Sequence, residues 1–165
     1  MRNGYDEPPL GLDTGQFYTI HVAALLSMTM SFVCASIVIG YSLRDRKSKS
    51  FFERTKSERF VVYMGICDAT FNVIHAAEHI QMVVTRNHVH PIQICRLHAL
   101  MSMELGFAQV FLVLFIAVNI FTLMFLHKNI SFGKYDWKLL LTVVLCPFLI
   151  GVSSLLANII GPNGA

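Results

Sequence analysis

The sequence predicts an all-α protein, a multi-pass transmembrane helix bundle with about four spanning helices and its N-terminus outside. Three observations carry that prediction. Apolar residues make up 55% of the 165 and charged residues only 14%, where a soluble domain usually holds about a quarter charged. The apolar residues are gathered into runs. No Asp, Glu, Lys or Arg lies between Thr14 and Tyr41, Glu104 alone interrupts the stretch from Arg96 to Lys128, and none follows Lys138. A fourth stretch, Phe60 to Thr85, is broken only by Asp68 and Glu78. Each run reaches the roughly 20 mainly apolar residues a helix needs to cross hydrocarbon. Three of the four also lack the polar stripe a soluble helix turns to water.

The elements follow in order. Residues 1–16 form a polar, Pro- and Gly-containing outer tail without the basic start and short apolar stretch of a cleaved signal peptide. The first span, 17–43, is too long for such a peptide and is read as a retained helix. Spans at 59–85, 94–127 and 137–160 complete the transmembrane region 17–160, and 161–165 begins an outer loop. Pro147 falls inside the fourth span, where it should bend the helix, as membrane helices tolerate. Gly40, Gly65 and Gly106 lie within spans and offer places for close helix contact. Phe17 and Tyr18 at one edge, and Tyr135 and Trp137 at the other, sit where interfacial aromatics belong.

Lysines and arginines in short loops mark the cytoplasmic side. The loop 44–59 holds Arg44, Arg46, Lys47, Lys49, Arg54, Lys56 and Arg59, and Lys128, Lys134 and Lys138 follow the third span. The other side has Arg2, Arg86 and Arg96. That asymmetry places both basic loops inside and both ends of the chain outside. The net charge of +3 then belongs to cytoplasmic loops, and no basic patch or fold signal points to nucleic acid. Asn129-Ile130-Ser131 matches the glycosylation acceptor triplet but falls on the inner side, where it is read as a chance match.

The second span carries the most chemistry. Asp68, Asn72, His75 and His79 recur at i, i+4, i+7 and i+11, one face of a helix. A carboxylate at mid-membrane costs about 2.5–3.5 kcal/mol even on insertion scales, so that face should turn into the bundle. His98, Ser102 and Gln109, at i, i+4 and i+11, offer a matching face on the third span. The spacing predicts that the two faces meet. The plain reading is a polar network that specifies packing; the functional one is an ion-, proton- or ligand-linked switch, the default for intramembrane ionisable groups.

Two further patterns bear on chemistry. His75-Ala76-Ala77-Glu78-His79 formally matches H-x-x-E-H, with two imidazoles one turn apart and a carboxylate between; Glu104 is a third possible ligand but points away from the Ser102 face. The residues lack the setting of a zinc peptidase and the paired histidines of a multi-haem cytochrome, so neither a metal nor another cofactor is expected, and no catalytic motif is present. Cys34, Cys67 and Cys146 lie within spans, whereas Cys95 starts the third span on the oxidising side and is a disulfide candidate. His88 and His90 fall in the adjoining outer loop as solvated residues or pH-sensitive ones.

The outer tail, basic first inner loop, Asp68 and Cys95 together resemble a G-protein-coupled receptor. More specifically, Ser57-Glu58-Arg59-Phe60-Val61-Val62-Tyr63, Ile66-Cys67-Asp68, Ala117-Val118-Asn119 and Gly161-Pro162-Asn163-Gly164-Ala165 resemble invertebrate orphan receptors related to slime-mould cyclic-AMP and fungal nutrient-sensing receptors. The resemblance covers nearly the whole chain. It implies a signalling receptor of the plasma membrane with an unknown extracellular ligand, Asp68 as the ion- or water-linked switch, and Cys95 bridged to the next outer loop. No Asp-Arg-Tyr triplet closes the third span, which instead reads Phe125-Leu126-His127-Lys128, and this departs from rhodopsin-like members. With four spans, the resemblance implies a truncated or partial seven-helix receptor, with membrane lipid as its partner and a G protein only for a full-length parent. A self-contained four-helix membrane scaffold or adaptor is the alternative, and an intramembrane metalloenzyme using His75, Glu78 and His79 the second.

Overall fold

The computed structural model describes residues 8–44, 51–157 and 159–160. Its helices are α1 (Phe17–Arg44), α2 (Lys56–Thr85), α3 (Ile92–Phe125) and α4 (Trp137–Leu156), with single 3-10 turns at Phe51–Glu53 and Lys134–Asp136. All four are long and apolar enough to cross a membrane; at 1.5 Å per residue even α4 reaches about 30 Å. Their outward faces carry Leu26, Met30, Val113, Phe121 and Leu149, all about half exposed or more, which water would solvate poorly and lipid solvates well. This is an integral membrane protein with a four-helix core. Arg2, Arg46, Lys47, Lys49 and the expected loop at 161–165 lie outside the described residues.

Local chemistry sets where the helices start and stop. α2 begins at Lys56, three residues earlier than the hydropathy suggests, because Thr55 and Glu58 form a capping box: the Thr55 hydroxyl accepts from the Glu58 N–H, and the Thr55 N–H donates to the Glu58 carboxylate at 2.9 Å. It ends where Arg86 turns left-handed (φ 53) and its N–H returns to the Met82 carbonyl at 2.8 Å. α3 stops at Phe125 because His127 also turns left-handed (φ 50) and the Lys128 N–H folds back to the Thr122 carbonyl. α4 runs unbroken through buried Pro147 and ends at Leu156, short of the expected 160; the amides of Ala157 and Ile159 return to the carbonyls of Ser153 and Ser154.

The helices pack in sequence, α1 on α2, α2 on α3 and α3 on α4, and no comparable contact returns from α4 to α1. The result is an open arc. Of the three expected glycine contacts only Gly65 makes one: a Cβ there would stand 3.0 Å from Ile39 of α1, whereas Gly40 and Gly106 face open space. Gly151 is the second true close approach, packing α4 onto Leu100 and Met103 of α3.

The end of the bundle that carries the basic loops is its most firmly packed part. Phe60, Leu112, Phe132, Leu139 and Val143 form the core there, joining α2, α3 and α4 with the loop before α4. Beside it, Arg59 donates to both carboxylate oxygens of Asp136, from Nε at 2.6 Å and Nη2 at 2.9 Å, and Tyr63 donates to the same carboxylate at 3.1 Å. Arg59 Nη1 holds the carbonyls of Phe52 and Arg54. Lys56 Nζ reaches across to the Asn129 side-chain oxygen and the Ile130 carbonyl. The two basic loops are thereby tied to each other. Arg59 is thus a buried ion-pair residue as well as a loop cation, a role that hydropathy alone does not reveal.

Candidate functional site: the polar seam of α2 and α3

The α2 face predicted from spacing is built as one seam, and its hydrogen-bond partners lie on α1. Ser31 Oγ donates to Asp68 Oδ2 at 2.8 Å. Asn72 is buried and folds onto its own helix, donating to the Asp68 carbonyl at 2.8 Å. Two turns further on, His79 Nδ1 lies 2.7 Å from Nδ1 of His21. His75 stacks on Phe71, meets the edge of His79, and brings its Nδ1 to 3.3 Å from a Glu78 carboxylate oxygen, within ion-pair range but outside hydrogen-bonding geometry. Ser31 and His21 were the residues that sequence reasoning missed. α1 carries no acidic residue and His21 as its one histidine, and a hydroxyl in an apolar run usually bonds back to its own helix, as Ser27, Thr29 and Ser36 do here.

The matching face of α3 is present, but no direct hydrogen bond joins it to α2 among the described residues. His98 Nδ1, Ser102 Oγ and Gln109 Nε2 are buried with no protein partner, as is Asn119 Oδ1, two turns or more toward the basic end. Asp68 and Gln109 face each other across a cavity of about 500 Å³ between α1, α2 and α3. Ala35, Met64, Gly65 and Asn119 also line it. Glu104 points elsewhere, into an apolar cavity of about 270 Å³ between α2, α3 and α4, next to Cys67.

This geometry has a direct chemical consequence. A buried donor or acceptor without a partner costs about 1–3 kcal/mol, and a mainly apolar cavity of this size has room for waters at its few polar groups. Asp68 supplies the one carboxylate on its wall among the described residues, and Gln109 Nε2 and Asn119 Oδ1 offer one unpartnered donor and one unpartnered acceptor beside it. Apart from Ser57 the rest of the lining is apolar, which keeps the Asp68 field strong.

The remaining expected residues are placed as follows. No three His, Cys, Asp or Glu side chains converge to hold a metal ion among the described residues; His79 of the H-x-x-E-H run turns to His21. Cys95 is buried in the first turn of α3 with a free thiol, and no described cysteine pairs with it. Phe17 is not an interfacial anchor but is buried against His21, with ring centroids 4.3 Å apart. Tyr18 is half exposed and is held by Arg86, whose Nε donates to its hydroxyl at 2.6 Å. His88 is buried in the α2–α3 connection rather than solvated. No protein-family model and no curated protein matches this chain significantly.

Proposed function

We propose that this chain forms the first four helices of a seven-helix receptor of the G-protein-coupled type, of the kind related to slime-mould cyclic-AMP and fungal nutrient-sensing receptors, and that it resides in the plasma membrane with its N-terminus outside. In this reading Asp68 and the cavity it lines form the element through which a ligand bound outside biases the inner loops. The observation that carries the reading is the open arc. Four helices that bury their polar seam only on one side, with α1 and α4 apart, form an edge that further helices complete. A self-contained scaffold would more naturally close α4 against α1.

The orientation is supported by the ten lysines and arginines in the two loops, which Lys56 and Arg59 tie to each other through Ile130 and Asp136. Sequencing the transcript beyond codon 165 tests the reading at its root. Three further apolar spans of about 20 residues each, with a cysteine in the first outer segment, are expected; a stop codon with no such spans favours the scaffold. If the spans are found, Asp68→Asn in the whole protein should alter basal guanine-nucleotide exchange in membranes carrying heterotrimeric G proteins. Exchange equal to that of the parent removes Asp68 from the switch.

A further inference from the structure

The two ends of α1 are held to α2 by different means, and at the end opposite the basic loops the tie is a pair of imidazoles. His21 is only 2% exposed. Its Nδ1 lies 2.7 Å from Nδ1 of His79, so the contact is an N–H···N hydrogen bond, in which one nitrogen carries hydrogen and the other offers a lone pair. It survives when the pair is neutral, and it survives one extra proton placed on an Nε2. It cannot survive hydrogen on both Nδ1 atoms, which would bring two N–H groups and two positive charges face to face. On the His21 side water has little access to take the lost partner's place: Phe17 covers the His21 ring, and His21 Nε2 already lacks a partner, although the Leu10 backbone comes near.

We propose that His21 and His79 form an acid-opened latch between α1 and α2, which holds these two helix ends together until both facing nitrogens carry hydrogen and then releases them. This inference does not depend on the receptor reading. The titratable groups around the pair leave its gap to the two histidines. From α2, His75 and Glu78 face each other. From α3, His98 and Cys95 lie within electrostatic range of Glu78, and Arg96 within range of Cys95. From α1, Tyr18 is engaged by Arg86. Glu78 and His75 also lie within electrostatic range of His79, but among the described residues no carboxylate hydrogen-bonds either ring of the pair, and Glu78 is shared with His75. Further along the seam, Ser31–Asp68 and the Gly65–Ile39 contact keep α1 in place, so the opening is confined to this end. Half-buried His79 offers the proton its way in.

The test uses the whole chain in lipid nanodiscs. Spin labels go on Val22→Cys of α1 and Val84→Cys of α2, both exposed positions, with the four native cysteines replaced by alanine. Lowering the pH from about 8 to about 5, the range in which histidine charge changes, should lengthen the mean label separation reversibly. The lengthening should disappear in His79→Phe, which keeps an aromatic ring, and persist in His75→Phe and His98→Phe. A separation that stays constant across that range overturns the proposal. So does a lengthening that survives His79→Phe. Should the phenylalanine variants not fold, ¹⁵N-histidine NMR of the unaltered protein decides. At the upper pH one ring of the pair should show a hydrogen-bearing Nδ1 and the other a bare one; two rings titrating independently of each other also overturn it.

Discussion

Replacing Asp136 by Asn should be among the most damaging single changes to this fold. Asn is the right probe because position 136 sits at φ 55, a left-handed conformation that Asn tolerates better than most residues, so the change removes charge with little added backbone cost. In the parent, Arg59 makes four kinds of donation, two of them to the Asp136 carboxylate at 2.6 and 2.9 Å and two to backbone carbonyls. The side chains of Arg59 and Asp136 are only 10% and 3% exposed. Two hydrogen bonds to a charged group are worth about 1.5–3 kcal/mol each, and stripping one partner from a buried ion pair costs about 3–5 kcal/mol. The two routes agree. At about 2–4 °C per kcal/mol for a chain of this size, detergent-solubilised protein should melt roughly 10 °C lower. With the exposed Cys34 replaced by alanine, a thiol-reactive dye reports that transition through the buried Cys95, aided by the part-buried Cys67 and Cys146. The double change Arg59→Met with Asp136→Leu should be milder than Asp136→Asn alone, since no charge is stranded. Equal melting of Asp136→Asn and parent would refute the argument.

Four further outcomes follow from contacts already described. Tyr63→Phe should cost about 1.5–3 kcal/mol by losing its bond to the Asp136 carboxylate, and should cost less in an Asp136→Asn background, where no charge is left to accept it. Gly133→Ala should lower the melting temperature, because position 133 has φ 82 and a Cβ there would stand 2.6 Å from Nε1 of Trp137. Gly151→Val should overpack the α3–α4 contact at Leu100, costing about 1–3 kcal/mol, whereas Gly106→Val, which faces open space, should melt close to parent. Ser31→Ala should weaken the α1–α2 seam by about 1.5–3 kcal/mol through loss of the bond to Asp68, read as faster amide hydrogen exchange in α1 with exchange in α4 unchanged.

The sequence was most informative about length and face, and least about neighbours. Charge-free runs place all four helices because hydrocarbon imposes a minimum length that few other environments require. Their ends needed local geometry: the Thr55–Glu58 box is visible in the residues, but the left-handed turns at His127 and Asp136 are not. The polar face of Asp68, Asn72, His75 and His79 was legible from spacing. Spacing defines a face and leaves its azimuth open, so the same four residues suit α3 as well as α1. Packing decided for α1, where Gly65 lets Ile39 come close enough to carry Ser31 to Asp68. Arg59 was read with the loop cations because its partner, Asp136, lies 77 residues away, beyond the reach of any periodic signal.

The grip of Lys56 on Asn129 also bears on how the acceptor triplet should be understood. A sugar-transferring enzyme must draw an asparagine side chain into its own active site, and in the folded protein that amide oxygen is already engaged, with Ile130 beside it held by the same ammonium. Asn129 itself stays exposed, so this grip restrains its side chain without covering it. The triplet joins the start of α2 to the connection between α3 and α4, and a sugar found on it would place that connection outside and reverse the orientation read from the basic loops.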